Sequence, residues 1–301
     1  MRSQIDPRKP QGRSLRRLAR RHARAATKLL QGEHPLAGRT IHAVRKQIKR
    51  LRAVCLLAED AGARRVARER RHLAKAGAKL SAVRDMDVME ETLNALTSAN
   101  PALIPRPALR SIKQRIHSER HDLRRTCLKK KTMRVLITAL ARIDKRMAGW
   151  HPHKSEAAVW SPGLMRAHQR VCEALQLAVQ NDDAVLVHRL RKRVTELRNQ
   201  LRVVAPVGSR PYRDAETLDA AVAALGDDHN LAVLWKRLSK WAEDRLIELD
   251  TRSLQRAVAR RQRSLRKKAF ASIRPICRTP ARRYIQRVEN AWRHAGGRLE
   301  S

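Results

Sequence analysis

The chain has 301 residues, with 68 Lys and Arg against 28 Asp and Glu, a formal net charge of +40. That lies far beyond the roughly 2–8 charges of an ordinary small soluble domain, so a polyanionic partner or many bound counterions is expected. No run of about 18 apolar residues occurs, so no transmembrane helix or membrane insertion is expected, and apolar residues lie in periodic stripes, which excludes disorder throughout.

Residues 1–12 read as a flexible basic arm with no apolar core for a signal peptide. A helix is expected over 14–30, with Leu15, Leu18, Ala19, His22, Ala26 and Leu29 at spacings of three and four and Gly32 ending it ahead of Pro35. A second opens with Thr40 as its N-cap and runs to about Asp60, where Gly62 breaks the pattern. A long helix over 64–98 carries Leu73, Ala76, Leu80 and Val83 as one stripe and stops at the Asn100–Pro107 cluster. A fourth helical stretch spans 108–148.

Residues 151–161 read as a linker between a first half, 13–150, and a second half, 162–295. Ser161-Pro162 resembles a helix start. Helices follow over 163–180, 184–204, 214–250, 253–272 and 280–294. No segment alternates with a period of two, so the fold class is all-α. Cys55, Cys127, Cys172 and Cys277 are widely spaced with no CxxC, so neither a disulfide framework nor a zinc knuckle is expected, and a reducing cytoplasm is the expected location.

The two halves echo each other. Residues 42–57, HAVRKQIKRLRAVCLL, align with 188–203, HRLRKRVTELRNQLRV, and share His42/His188, Arg45/Arg191, Lys46/Lys192, Leu51/Leu197 and Arg52/Arg198. Further on, LSAVRDMDV at 80–88 aligns with LGDDHNLAV at 225–233 at nearly the same offset. At about 100° per residue, His42, Arg45, Lys46, Lys49 and Arg52 fall on one side of their helix, beside an apolar stripe of Ile41, Val44, Ile48, Leu51 and Cys55. His188, Arg191, Lys192, Arg198 and Arg202 repeat the arrangement. A basic helix face is usually just solvated, but such a face normally mixes Glu with Lys at i,i+4, and residues 41–58 contain no acid. Arg outnumbers Lys by 51 to 17, and its planar fork grips phosphate oxygens bidentately.

The His-x-x-Arg helix with further basic residues downstream resembles that of the CHAD family, the conserved histidine α-helical domain. His42, Arg45, Lys49, Arg50 and Arg52 fit its pattern. His188, Arg191 and Arg198 fit it in the second half, where Thr195 and Glu196 depart from it. Arg84-Asp85-Met86-Asp87-Val88 and the C-terminal ARRYIQRVENAWR also resemble family segments, so the likeness covers about residues 13–295. The resemblance implies two pseudo-symmetric four-helix bundles with a basic cleft or pore between them. It also implies binding of inorganic polyphosphate without catalysis, in some members on polyphosphate or polyhydroxyalkanoate granules. Some members accompany a triphosphate tunnel domain with a Glu-x-Glu-x-Lys motif, which is missing from these residues, so a stand-alone copy is expected.

The expected ligand-binding residues are therefore His42, Arg45, Lys46, Lys49, Arg50, Arg52, His188, Arg191, Lys192, Arg198 and Arg202. Phosphate beside His42 and His188 would favour their imidazolium forms and tighten binding in mild acid. Asp85 and Asp87 fit either surface pairing with arginines or orientation of the motif arginines. No catalytic group, cofactor or metal site is expected: there is no phosphate-binding glycine loop, and His117 and His121 at i,i+4 lack acidic company. Nucleic acid is the alternative polyanion, weakened by eight aromatics in all and no DNA-reading motif, and is expected only as a non-specific competitor.

Overall fold

A computed structural model describes residues 4–34, 37–61, 66–127, 130–151 and 159–296. Among them all regular structure is helical. In chain order the helices are α1 (Gln11–Gln31), α2 (Gly38–Ala58), α3 (Val66–Ala99), α4 (Arg106–Cys127), α5 (Lys130–Ala148), α6 (Ser161–Gln180), α7 (Ala184–Val204), α8 (Arg210–Glu243), α9 (Thr251–Cys277) and α10 (Ala281–His294).

The apolar stripes read from the sequence become the core. On α1, Leu15, Leu18, Ala19, His22 and Ala26 are buried, and on α2 so are Ile41, Val44, Ile48, Leu51 and Cys55. Leu73, Leu80 and Val83 of α3 are buried too, whereas the side chain of Ala76, Pro35, Gly62 and most of the 151–161 linker lie outside the described residues. Helix α1 packs on α2 and α5, and α3 packs on α2, α4 and α5. In the second half α7 lies against α6 and α8, α9 against α8 and α6, and α10 against α6 and α8. Between the halves α2 meets α7 and α6, and α3 meets α8.

Two features fix that junction. Gly163, in the first turn of α6, sits against the end of α2: a Cβ there would lie 2.8 Å from the Leu56 carbonyl oxygen and 2.8 Å from the Leu57 Cα. No side chain could give way, so only glycine permits this approach. Glu119 of α4 accepts from Trp241 Nε1 at 2.9 Å and pairs with Arg237 at 3.1 Å, both on α8.

Several expectations need correction. The 1–12 arm is anchored where it is described: Ile5 is buried, its N–H donates to Val203 O at 2.9 Å, and Gln4 Nε2 donates to Ala205 O. Helix α1 already begins at Gln11. The N-cap of α2 is Ala37, not Thr40, and its side chain makes no capping bond. The stretch 108–148 is two helices, α4 and α5, whose join at 128–129 lies outside the described residues. Cys172 of α6 and Cys277 of α9 form a disulfide, Cα atoms 5.3 Å apart across 105 residues of chain. Spacing could not show this, because packing of α6 on α9 makes the pair. The cysteines therefore no longer argue for a reducing compartment.

Candidate functional site

The site begins with the register of α2 and α7. Val187, Leu190, Val194, Leu197 and Leu201 of α7 are buried like their α2 counterparts. The charged positions flanking these stripes are thereby carried to the seam where α2 and α7 meet.

Arg45 is half-buried, and its Nη1 donates to Leu80 O of α3 at 3.2 Å. Burial lowers its pKa, Asp85 opposes the change, and Arg191 and Arg84 add to it. Arg191 is lowered by burial against the pull of Asp85, Asp228 and Asp227. Lys49 still presents surface to solvent. Crowding by the surrounding chain, then Arg45, Arg191 and Arg198, nevertheless holds its ammonium down to about 8. Four predicted cations from both halves, Arg45, Lys49, Arg191 and Arg198, thus share one electrostatic neighbourhood. The arginines stay charged throughout, because guanidinium does not deprotonate in proteins.

Asp85 faces this group from α3. Burial raises its pKa, and Arg45, Arg191, Lys49 and Arg84 resist without cancelling the rise. Asp87 is engaged elsewhere. Its Oδ1 accepts from Arg124 Nη2 at 2.9 Å and ties α3 to α4.

The cationic set continues along α7. Arg198 Nη1 donates to Asp219 Oδ1 at 3.1 Å, and Arg202 pairs with the other oxygen of Asp219. Arg50 is lowered by burial, then by Arg202 and Arg21. Lys46 and Lys192 are exposed beside the seam. Arg52 is lowered by burial, then by Arg70 of α3 and Arg193 of α7, against the pull of Glu196 of α7. Glu196, the acid that breaks the motif in the second half, therefore acts on Arg52 across the seam while pairing with Arg193 at 3.5 Å.

The motif histidines are both held below the usual imidazole range. His42 is exposed, yet residual burial and then Arg84, Arg45, Lys46 and Lys49 push its imidazole down. His188 falls to about 4, first through burial and then through Lys192 and Arg191. Burial and cationic crowding thus favour the neutral form of both motif imidazoles at pH 7.

Sequence reasoning missed His229 of α8, which stacks on His188 with ring centroids 4.5 Å apart. Burial, Arg191 and His188 hold it down to about 3. The signal was available: in the 80–88/225–233 echo His229 aligns with Arg84, which acts on His42 from α3. Next to it, Asp228 is buried and accepts from Arg266 Nε at 2.8 Å, and Arg266 also reaches Asp182. With two carboxylates on it, Arg266 is held ionised.

A model of the CHAD domain family matches residues 14–239. The chain belongs to the CHAD family. The matched range of this CHAD domain contains both motif helices and stops within α8, short of residue 295. Among solved structures it is similar to the crystal structure of the CHAD domain from the plant Ricinus communis, at 20% identity and a TM-score of 0.62, with 92% of this chain and 94% of that one covered. At that identity the likeness speaks for the fold alone. No curated protein matches the chain. Among the described residues no helix is long and apolar enough to cross a membrane, and no group of three His, Cys, Asp or Glu could hold a metal ion. His117 instead lies 2.9 Å from Arg120.

Proposed function

We propose that this CHAD domain binds inorganic polyphosphate at the α2–α7 seam and performs no chemistry on it. The observation that carries the reading is the convergence of Arg45, Lys49, Arg191 and Arg198 from two sequence-related helices. Polyphosphate carries a negative charge on every phosphoryl unit, and successive phosphates would meet arginine forks and lysine points from alternate sides of the seam. The pairing of α2 with α7 and of α3 with α8, each helix against its sequence counterpart, supports two pseudo-symmetric bundles related across a basic cleft. A domain of this kind would attach to polyphosphate or storage granules through the same residues. Nucleic acid would compete through charge alone.

The test is competition between labelled polyphosphate and single- and double-stranded DNA of equal charge at several salt concentrations. The reading expects polyphosphate to be preferred at every salt concentration, with affinity falling steeply as salt rises. Preference for either nucleic acid would overturn it.

A further inference from the structure

Outside the seam, a group of like charges surrounds a hollow on α1. A groove of about 660 Å³ is lined by Arg13, Arg16, Arg17, Arg20, Arg24 and Lys28. At 100° per residue, Arg13, Arg17, Arg20, Arg24 and Lys28 fall within about 80° of one another, and the stripe runs about 22 Å along the helix. Helix α1 contains no acid. Among the described residues Asp144 of α5 reaches the stripe, pairing with Arg20 at 2.9 Å and Arg24 at 3.1 Å. The opposite face of α1 is locked into the core by Leu15, Leu18, Ala19, Ala23 and Ala26, so the helix presents its cations in a fixed direction. A face that existed only for solvation would normally carry interleaved Glu.

This stripe also joins the seam. Helix α1 packs directly on α2. Arg50 of α2 lies within the field of both Arg21 of α1 and Arg202 of α7, and Arg202 and Arg50 both act on Arg198. Arg21 also lines the groove, so the groove on α1, packed on α2, and the seam between α2 and α7 are linked by cations that act on one another, Arg21 with Arg50, Arg50 and Arg202 with Arg198, and Arg198 with Lys49.

We infer that the basic groove of α1 is a second stretch of the binding track, occupied by the continuation of the same polyphosphate chain that lies in the α2–α7 seam. The inference rests on the function proposed above. A line of cations without a convergent pocket suits an extended polyanion rather than a single phosphate. The domain then discriminates by chain length: a short chain fills the seam alone, and a long chain fills seam and groove together.

The test uses the full chain and two ligands, tripolyphosphate and long-chain polyphosphate, over a range of salt. The variant carries Arg13→Gln, Arg17→Gln and Lys28→Gln, three exposed side chains on α1. Long-chain affinity should fall about tenfold, and the dependence of log K on log salt should become shallower by about 2, at roughly 0.7 per lost contact. Tripolyphosphate affinity should stay at the parent value. Restoring charge with Arg13→Lys, Arg17→Lys and the native Lys28 should return the parent slope. As a control, Arg256→Gln, Arg260→Gln and Arg263→Gln remove the same charge from exposed positions on α9, and should leave long-chain affinity within about twofold.

Parent-like long-chain affinity and slope in the α1 variant would overturn the inference, as would an equal loss in the α9 control. If the parent binds both ligands and the α1 variant does not differ, the inference falls while the seam remains. If the parent binds neither, the function proposed above falls, and the inference with it.

Discussion

Lowering the pH from 8 to 5 should destabilise the ligand-free domain markedly, and the histidines set the size of the effect. His22 is buried on α1, and its Nδ1 lies 2.7 Å from Gln47 Oε1. Its Nε2 is buried without a partner, so protonation there would bury an unpaired N–H. Burial and the nearby Arg21 and Arg50 hold this imidazole down to about 4, against the hydrogen bond with Gln47. A histidine with a depressed folded value contributes stability that is full above its unfolded value of about 6.5 and is lost as the pH falls toward the folded value. At pH 5 His22 therefore costs about 2 kcal/mol, from 1.36 kcal/mol for each unit of pH below 6.5. His188 and His229, at about 4 and about 3, act with the same sign, but they are partly exposed, and each is discounted to about 1 kcal/mol. Asp85, Asp214 and Asp228 have raised values and act with the opposite sign at lower pH, so the loss is steepest between pH 6.5 and 5. A total of about 4 kcal/mol corresponds to a Tm about 8–16 °C lower at pH 5 than at pH 8. Thermal unfolding followed by circular dichroism at constant ionic strength measures it. A Tm that changes by less than about 3 °C would refute the assignment of these imidazoles as neutral and held down by their surroundings.

Three further predictions test the fold and the site. Gly163→Ala must force α6 away from the α2 backbone, so a loss of about 1–3 kcal/mol in a denaturant titration is expected, and an unchanged midpoint would contradict the close approach. Reducing Cys172–Cys277 opens a cross-link over 105 residues, which should remove about 2–4 kcal/mol of stability. The comparison is Tm with and without reductant, and the variant Cys172→Ser should be insensitive to it. Asp85→Asn removes a carboxylate whose raised value means that its charge is unfavourable in the folded state. Tm should hold or rise, and polyphosphate should bind about fivefold tighter, because a negative charge has left the cationic group. Weaker binding would show instead that Asp85 orients the motif arginines.

The parts of the fold that are legible in the sequence are those where local chemistry and packing agree. Helix α7 is expected over 184–204 and is found there, because Asp183 caps it through Val185 N at 2.8 Å and its apolar stripe faces a single core. The α2 stripe is legible for the same reason. Contacts between distant segments are not. The Cys172–Cys277 bond, the docking of Ile5 on α7 and the grip of α8 on Glu119 depend on how helices cross, which periodicity does not encode. In the site, the duplicated His-x-x-Arg pattern places Arg45 and Arg52 on one side of α2, but which charges act on each, Asp85 on Arg45 and Arg70 with Glu196 on Arg52, depends on how the helices cross. It also omits His229, whose partner His188 lies on another helix. The neutrality of the histidines is not legible either, because burial, its first cause, follows from how the helices pack.

Whether α2 and α7 form one binding site is decided by long-chain polyphosphate binding to Arg45→Glu with Arg191→Glu, one reversal on each side of the seam. If the two motif helices form a single site, binding at near-physiological salt should be lost while helical circular dichroism stays at the parent value. Folded double-variant protein that retains affinity within about twofold would contradict a binding site at the seam.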